Sequence, residues 1–249
     1  MNNDPSVTGD VDSAESENPM EKDRGREKTY WNTFYSNVST IPRVPSQFGV
    51  LVSTEVNRSI PIVEFGCGNG RDSLYFASQG FRVLASDLCK DAIRKNQEKI
   101  TNGDTNCRLD FSICDCTDEA DVEDLIRRAH EFNNNVVVYH RFFLHSIDQT
   151  QEHKFLIALG KNLTNGDKLY MEFRCELDEA LPKVYGKGHY RRYVKTNDVI
   201  NLMKSMGFEL EYEMTGQGMA KYKSEDPFVS RVIVVKDSGS ANSGNKEIA

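Results

Sequence analysis

One stretch constrains the fold more than any other. In Val63-Glu64-Phe65-Gly66-Cys67-Gly68-Asn69-Gly70-Arg71-Asp72, an apolar run and an acid lead into three alternating glycines. The apolar run begins at Ile60, and the helical pattern Leu74, Tyr75, Ala77 follows, so the spacing predicts strand, tight turn, helix. Glycine at alternate positions admits positive φ and lets a ligand come closer to the backbone than a Cβ would allow. Such a turn suits a nucleotide, although the same loop would also serve strand-to-helix packing. A dinucleotide fingerprint needs G-x-G-x-x-G, and Arg71 stands where its third glycine would be. A second apolar run, 82–87, ends in Asp87, an acid able to accept hydrogen bonds from both hydroxyls of an unphosphorylated ribose.

The segment from Glu64 to Gly70, followed by Ala85-Ser86-Asp87, resembles motifs I and II of class I S-adenosylmethionine-dependent methyltransferases. The resemblance implies S-adenosylmethionine as cofactor. It places Glu64, Gly66, Cys67, Gly68 and Gly70 under the methionine part and ribose, and Asp87, with Leu88 beside it, at the ribose hydroxyls. It also puts Asp115 near the adenine amino group and Cys116 near the base, although Asp115 reads equally as a turn or capping residue. Upstream, Tyr30-Trp31-Asn32-Thr33-Phe34-Tyr35 resembles the W-x-x-F/Y segments that cover the cofactor pocket in several such enzymes, which gives Tyr35 a cofactor-facing role. Trp31, Phe34 and Tyr35 share one helical face, so ordinary core packing competes with that reading.

The chain has 249 residues and a formal net charge of −7. That length suits one α/β domain with its own core. The acidic balance argues against a general electrostatic field for nucleic acid, while leaving room for a local basic cleft. The six cysteines lack C-x-x-C spacing, and with the scattered histidines they predict neither a zinc site nor a disulfide framework. No apolar run is long enough to span a bilayer, and the amino-terminal stretch is acidic and polar. A cytoplasmic protein is the simplest expectation. Residues 1–26 and 237–249 have too few apolar side chains to offset the entropy of ordering and are expected to be disordered.

Between these tails, strand patterns at 60–65, 82–88, 108–114, 135–142 and 168–173 alternate with helical patterns at 71–79, 90–100, 119–132 and 149–163. That order predicts a parallel sheet with helices on both faces. A helix at 197–206 and two β-rich runs, 208–214 and 228–235, follow, the runs being too close for a crossover helix. The expected fold is therefore a three-layer α/β sandwich over 27–236, with a seven-stranded, mostly parallel sheet closed by an antiparallel carboxyl-terminal hairpin. Residues 27–58 form its aromatic lid segment.

In an open sheet of this kind ligands lie outside the carboxyl ends of the strands. There His145 and Arg141 are candidate catalytic residues, His145 as a general base because imidazole titrates near working pH. Packing is the competing role. Strand alternation puts His140 and Phe142 on one face and Arg141 and Phe143 on the other, which argues against one working cluster. Arg174, His189, Tyr190, Arg191 and Arg192 concentrate basic and aromatic groups beside this edge, and guanidinium forks suit phosphate or carboxylate. Ion pairs that merely brace the loop are the alternative. The family often carries N/D-P-P-Y/F after strand 4 when it methylates amino groups of nucleobases or glutamine, and this chain has nothing similar, which argues against such an acceptor. The expected activity is methyl transfer, preferably to oxygen, on a small or end-group anionic acceptor such as a glycan or phosphate-bearing molecule. RNA or protein methylation, a catalytically silent binding subunit and a dehydrogenase stand behind it.

Overall fold

The computed structural model describes residues 31, 33, 44–101, 108–183, 190–237 and 239. The amino-terminal tail, the carboxyl-terminal tail apart from Asp237 and Gly239, Tyr35 and His189 lie outside the described residues, as does the lid segment over 27–43 apart from Trp31 and Thr33.

Helix α1, Gln47–Glu55, comes first and is capped by Ser46, whose hydroxyl accepts from Gly49 N. Then follow β1 (Ile62–Phe65), α2 (Arg71–Ser78), β2 (Val83–Asp87), α3 (Lys90–Thr101), β3 (Leu109–Ile113), α4 (Glu119–His130) and β4 (Val137–Arg141). The second half comprises α5 (Gln149–Asn162), β5 (Lys168–Arg174), α6 (Thr196–Ser205), β6 (Phe208–Gly216) and β7 (Val229–Lys236). Local chemistry sets the helix starts. Asp118 caps α4, and Asp148 with Gln151 forms a capping box on α5, each satisfying amide groups that a first turn leaves unpaired.

The seven strands form one sheet in the order β3-β2-β1-β4-β5-β7-β6. Strands β1 to β5 are mutually parallel, and β7 lies antiparallel between β5 and β6. The expected sandwich is therefore the observed one. Every residue of β1 is buried, as a central parallel strand covered on both faces requires. On one face Val63, Phe65, Val138 and Leu169 pack against Val122, Leu125, Phe155 and Met203 of α4, α5 and α6. On the other, Ile62, Val83, Val137 and Tyr139 pack against Phe48, Val52, Phe76 and Ile93 of α1, α2 and α3. Strand order reverses between β1 and β4, and ligand crevices of open α/β sheets form at such a point. At the far side β6 is the outer edge, with Glu209, Glu211 and Glu213 exposed and a register shift between Leu210 and Tyr212.

Candidate active site

The glycine loop turns at the carboxyl end of β1. Gly66, Gly68 and Gly70 have φ of 70°, 53° and 69°, conformations that side chains rarely adopt. A Cβ at Gly66 would collide with the Phe143 ring, and one at Gly70 would lie 2.9 Å from Phe111 Cζ. The loop is held from α3, where Asn96 Nδ2 donates to Gly68 O at 2.8 Å and Lys99 Nζ to Asn69 O at 2.7 Å. Across the crevice Asp87 accepts from Gly68 N at 2.9 Å and Cys89 N at 2.8 Å, one bond to each oxygen. Burial pushes its carboxyl up, and the two amides oppose that shift. Leu88 stands exposed beside it.

Glu64 is buried and accepts from Ser73 Oγ. Burial first and Asp72 second push its carboxyl well up. Asp72 is itself fully engaged, accepting from Ser46 N and Ser46 Oγ at 2.7 Å and Tyr139 OH at 2.8 Å. This hub ties α1 to β4, and Phe48 stacks on Tyr139 at 5.4 Å. Burial raises the Cys67 thiol, with Asp87 adding to the effect, so it is an inert part of the loop wall. At β3, Asp115 Oδ1 accepts from Thr117 N and Oγ1, closing a turn, and Cys116 packs against the core.

Strand alternation fails at one residue. Phe142 has φ of 55°, a left-handed conformation uncommon for a bulky side chain. The extra turn puts its ring under Arg141, with Arg141 Cζ 4.0 Å from the centroid, and 5.1 Å from the His145 ring. Arg174 Cζ is 5.7 Å away. The expected separation of these groups is thus overturned: Arg141, Phe142, His145 and Arg174 form one cluster, while His140 and Phe143 pack with Phe155 on the opposite face. His140 is fully buried and, among the described residues, neither ring nitrogen has a hydrogen-bond partner; burial pulls its pKa down to about 3.

His145 Nδ1 accepts from Arg174 N at 3.1 Å. A neutral ring in that contact carries its proton on Nε2, where it can only donate. Burial, then Arg174, hold its pKa well below the ordinary value. Most arginines at this edge have partners. Glu172, fully buried, accepts from Arg141 Nε at 2.6 Å and Arg231 Nε at 2.8 Å. Arg174 pairs with Asp178 at 2.8 Å and with Glu225. Arg192 pairs with Glu152 and donates to the carbonyls of Ile147 at 3.0 Å and Leu144 at 3.1 Å. Arg174 and Arg192 therefore brace the loop, the alternative that their sequence context left open. Arg191 is half-buried and, among the described residues, makes no ion pair; burial first and Arg174 second lower its pKa. Tyr190 is exposed.

Sequence reasoning missed Ser46, Asn96, Lys99, Glu172 and Arg231. Only Ser46 carried a local signal, a hydroxyl ahead of a helical run.

A glycine turn at the β1–β4 switch, with an acid closing β2, has the arrangement expected from the resemblance to class I methyltransferases, and the absent Cβ atoms of Gly66 and Gly70 let Phe143, Phe111 and Asn96 pack against the loop. Residues 62–166 match the family model described as a methyltransferase domain, and this match supports a class I S-adenosylmethionine-dependent methyltransferase. Solved structures share the fold. An S-adenosylmethionine-dependent methyltransferase from Anabaena variabilis aligns with TM-score 0.63 and 19% identity, over 84% of this chain and 93% of that one. CcbJ methyltransferase from Streptomyces caelestis aligns with TM-score 0.64 and 12% identity, over 85% and 99%. The glycopeptide N-methyltransferase MtfA, solved with S-adenosylmethionine, aligns with TM-score 0.58 and 13% identity, over 80% and 99%. No relative is found among curated proteins. No helix among the described residues is long and apolar enough to cross a membrane, and no group of side chains among them suits a metal ion.

Proposed function

We propose that the enzyme methylates an oxygen of a small or end-group acceptor that carries negative charge. The observation that supports it is Arg191, a half-buried cation at the carboxyl edge whose neighbouring carboxylates, Glu225 and Asp178, are already taken by Arg174. A guanidinium kept partly from water without a partner favours an incoming anion. Bound S-adenosylmethionine supplies a methyl group on a sulfonium, so the chain's task is to hold, orient and desolvate the acceptor. Asp87 takes the ribose hydroxyls, Leu88 and Cys116 cover the base, and Glu64 with the loop amides borders the methionine part. An acceptor oxygen already ionised needs no base, which suits a His145 ring whose Nδ1 lone pair is engaged. His145 then serves as a donor and as a support for the β5 exit.

The test pairs a screen of phosphorylated, carboxylated and neutral acceptors with Arg191→Ala. We expect turnover on an anionic acceptor, a raised KM in the variant, and unchanged melting temperature and S-adenosylhomocysteine affinity. Methylation at nitrogen, which MtfA's name states for that protein, overturns the oxygen assignment. Equal kinetics in parent and variant remove Arg191 from the acceptor site.

A further inference from the structure

The turn at Phe142 surrounds the acceptor edge with hydrogen-bond donors. Its ring lies under Arg141 Cζ at 4.0 Å, and the His145 ring and Arg174 Cζ lie 5.1 and 5.7 Å away. His145 Nδ1 accepts from Arg174 N, so Nε2 carries the proton, and among the described residues that N–H meets no acceptor. Arg191 reaches the same place from another segment. Arg192 N donates to His145 O at 3.0 Å and Val194 N to Arg174 O at 3.1 Å, which lays residues 190–194 along both turns. The carboxylates around the cluster are already paired with cations. Glu172 holds Arg141 and Arg231, Asp178 holds Arg174 at 2.8 Å and Lys183 at 3.2 Å, Glu225 holds Arg174, and Glu152 holds Arg192. None of these four acids is more than 7% exposed. What faces the acceptor, among the described residues, is therefore an imidazole N–H and a guanidinium.

Such a set can hold an anion but is poorly made to remove a proton. A hydroxyl gives up a proton when it is methylated, and the imidazole beside it has its lone pair engaged, with burial and then Arg174 holding its pKa well below the ordinary value. An acid that is already ionised has no proton to give up. Among such acids a carboxylate fits the geometry: it is planar with two oxygens, so one can lie on the donors while the other faces the methyl group. The half-buried Phe142 ring keeps water from one side of it, and a carboxylate is a better nucleophile with less water around it. Resting on the reading of Arg191 as the acceptor's anion site, we propose that the anion held by Arg191 and His145 Nε2 is a carboxylate and is itself the group methylated, so that the product is a methyl ester. One carboxylate oxygen forms the new C–O bond as the methyl's bond to sulfur breaks, the electron pair of that bond staying on the sulfur. The negative charge of the acid cancels the positive charge of the sulfonium, and no proton is released.

The test uses the full chain, S-adenosylmethionine labelled in its methyl group, and a small-molecule extract of the cells in which the protein occurs. The labelled product is treated with mild alkali, which splits carboxylic methyl esters and leaves methyl ethers, N-methyl groups and methylated phosphates intact. We expect the label to leave as volatile methanol. The acid recovered from that hydrolysis is then titrated calorimetrically, beside its neutral primary amide, into the chain with S-adenosylhomocysteine bound. The acid should bind about tenfold or more tightly than the amide, and Arg191→Ala should bring the two to within about twofold. Turnover of the acid in weakly buffered solution with a pH indicator should release no proton, where a hydroxyl releases one for each methyl transferred. Alkali-stable label, proton release with turnover, or equal binding of acid and amide overturns the proposal. Alkali-stable label that disappears when the extract is first treated with phosphatase gives the site to phosphate instead. The reading of Arg191 fails separately: a methyl ether on an acceptor whose KM still rises in Arg191→Ala leaves that reading standing, whereas a methyl group on nitrogen removes both the ester and the oxygen assignment.

Discussion

Around the glycine loop the backbone does the holding, whereas beside β4 and β5 side chains do. Asp87 is fixed by two amides and the loop by carbonyls bonded to Asn96 and Lys99. At the other end of the same crevice Glu172, Asp178, Glu225 and Glu152 are each held by an arginine. Backbone groups come with the turn whatever its side chains are, and here they meet single side chains from the next strand and helix, Asp87, Asn96 and Lys99. Ion pairs at this depth must offset the desolvation of two charges, and they fail badly when one partner is lost. The cofactor half should therefore respond to changes in backbone freedom, and the acceptor half to changes in charge.

The largest effect is expected from Glu172→Ala, which leaves Arg141 and Arg231 buried without their shared carboxylate. Stability should fall by about 3–5 kcal/mol in denaturant unfolding; a loss under about 1 kcal/mol would show that the pairs are no more than surface contacts. Asp87→Ala comes next. Loss of two charge-assisted bonds to ribose should weaken S-adenosylhomocysteine by roughly 2–4 kcal/mol, a factor of about thirty or more. Because Asp87 also ties Gly68 to Cys89, melting temperature is to be measured beside affinity. Gly66→Ala should cost roughly 1–3 kcal/mol, through a left-handed alanine and a Cβ pressed on Phe143. Cofactor binding should suffer with it, and an unaffected Kd would mean the loop can relax.

The smallest expected effect is a gain. His140 is buried and neutral with both nitrogens unpartnered among the described residues, so His140→Leu should stabilise by about 1–2 kcal/mol. The sign with pH follows. The unfolded ring takes up a proton near its ordinary 6.5 and the folded ring only near about 3. As pH falls through that window the unfolded state binds more protons, and stability is lost. His140→Leu should flatten this part of the acid limb in melts between about pH 6.5 and 4, and an unchanged slope would assign the acid sensitivity to other groups.

Legibility in the sequence followed the same divide. Strands β1, β2, β3 and β5 and helices α2 to α6 lay within a residue or two of their apolar patterns, because period and glycine punctuation are local signals. The cofactor loop could be read for the same reason: its chemistry lies in glycine spacing. Helix α1 could not, since a short run after Pro42 and Pro45 acquires its helix from Ser46 bonding to Asp72, across the chain. Phe142 defeated the alternation rule because a single positive φ reorients one side chain without disturbing the strand before it. The arginines were found as residues but not with their partners, which stand 40 positions away for Arg192 and Glu152 and 51 for Arg174 and Glu225. No local pattern encodes such pairings.

The outer strand β6 bears on how this protein behaves in a crowd of its own copies. Its free edge is nine residues long, the kind of template onto which another strand adds. Glu209 and Glu213 stand exposed on it, Glu211 pairs with Lys168, and the register shift between Leu210 and Tyr212 bends it. Two copies meeting edge to edge would bring like charges together on a surface too twisted to zip. That protection is electrostatic, and it weakens in strong salt or when the carboxylates are protonated. Concentrated stocks should accordingly stay clear at neutral pH in dilute buffer and turn cloudy first on acidification.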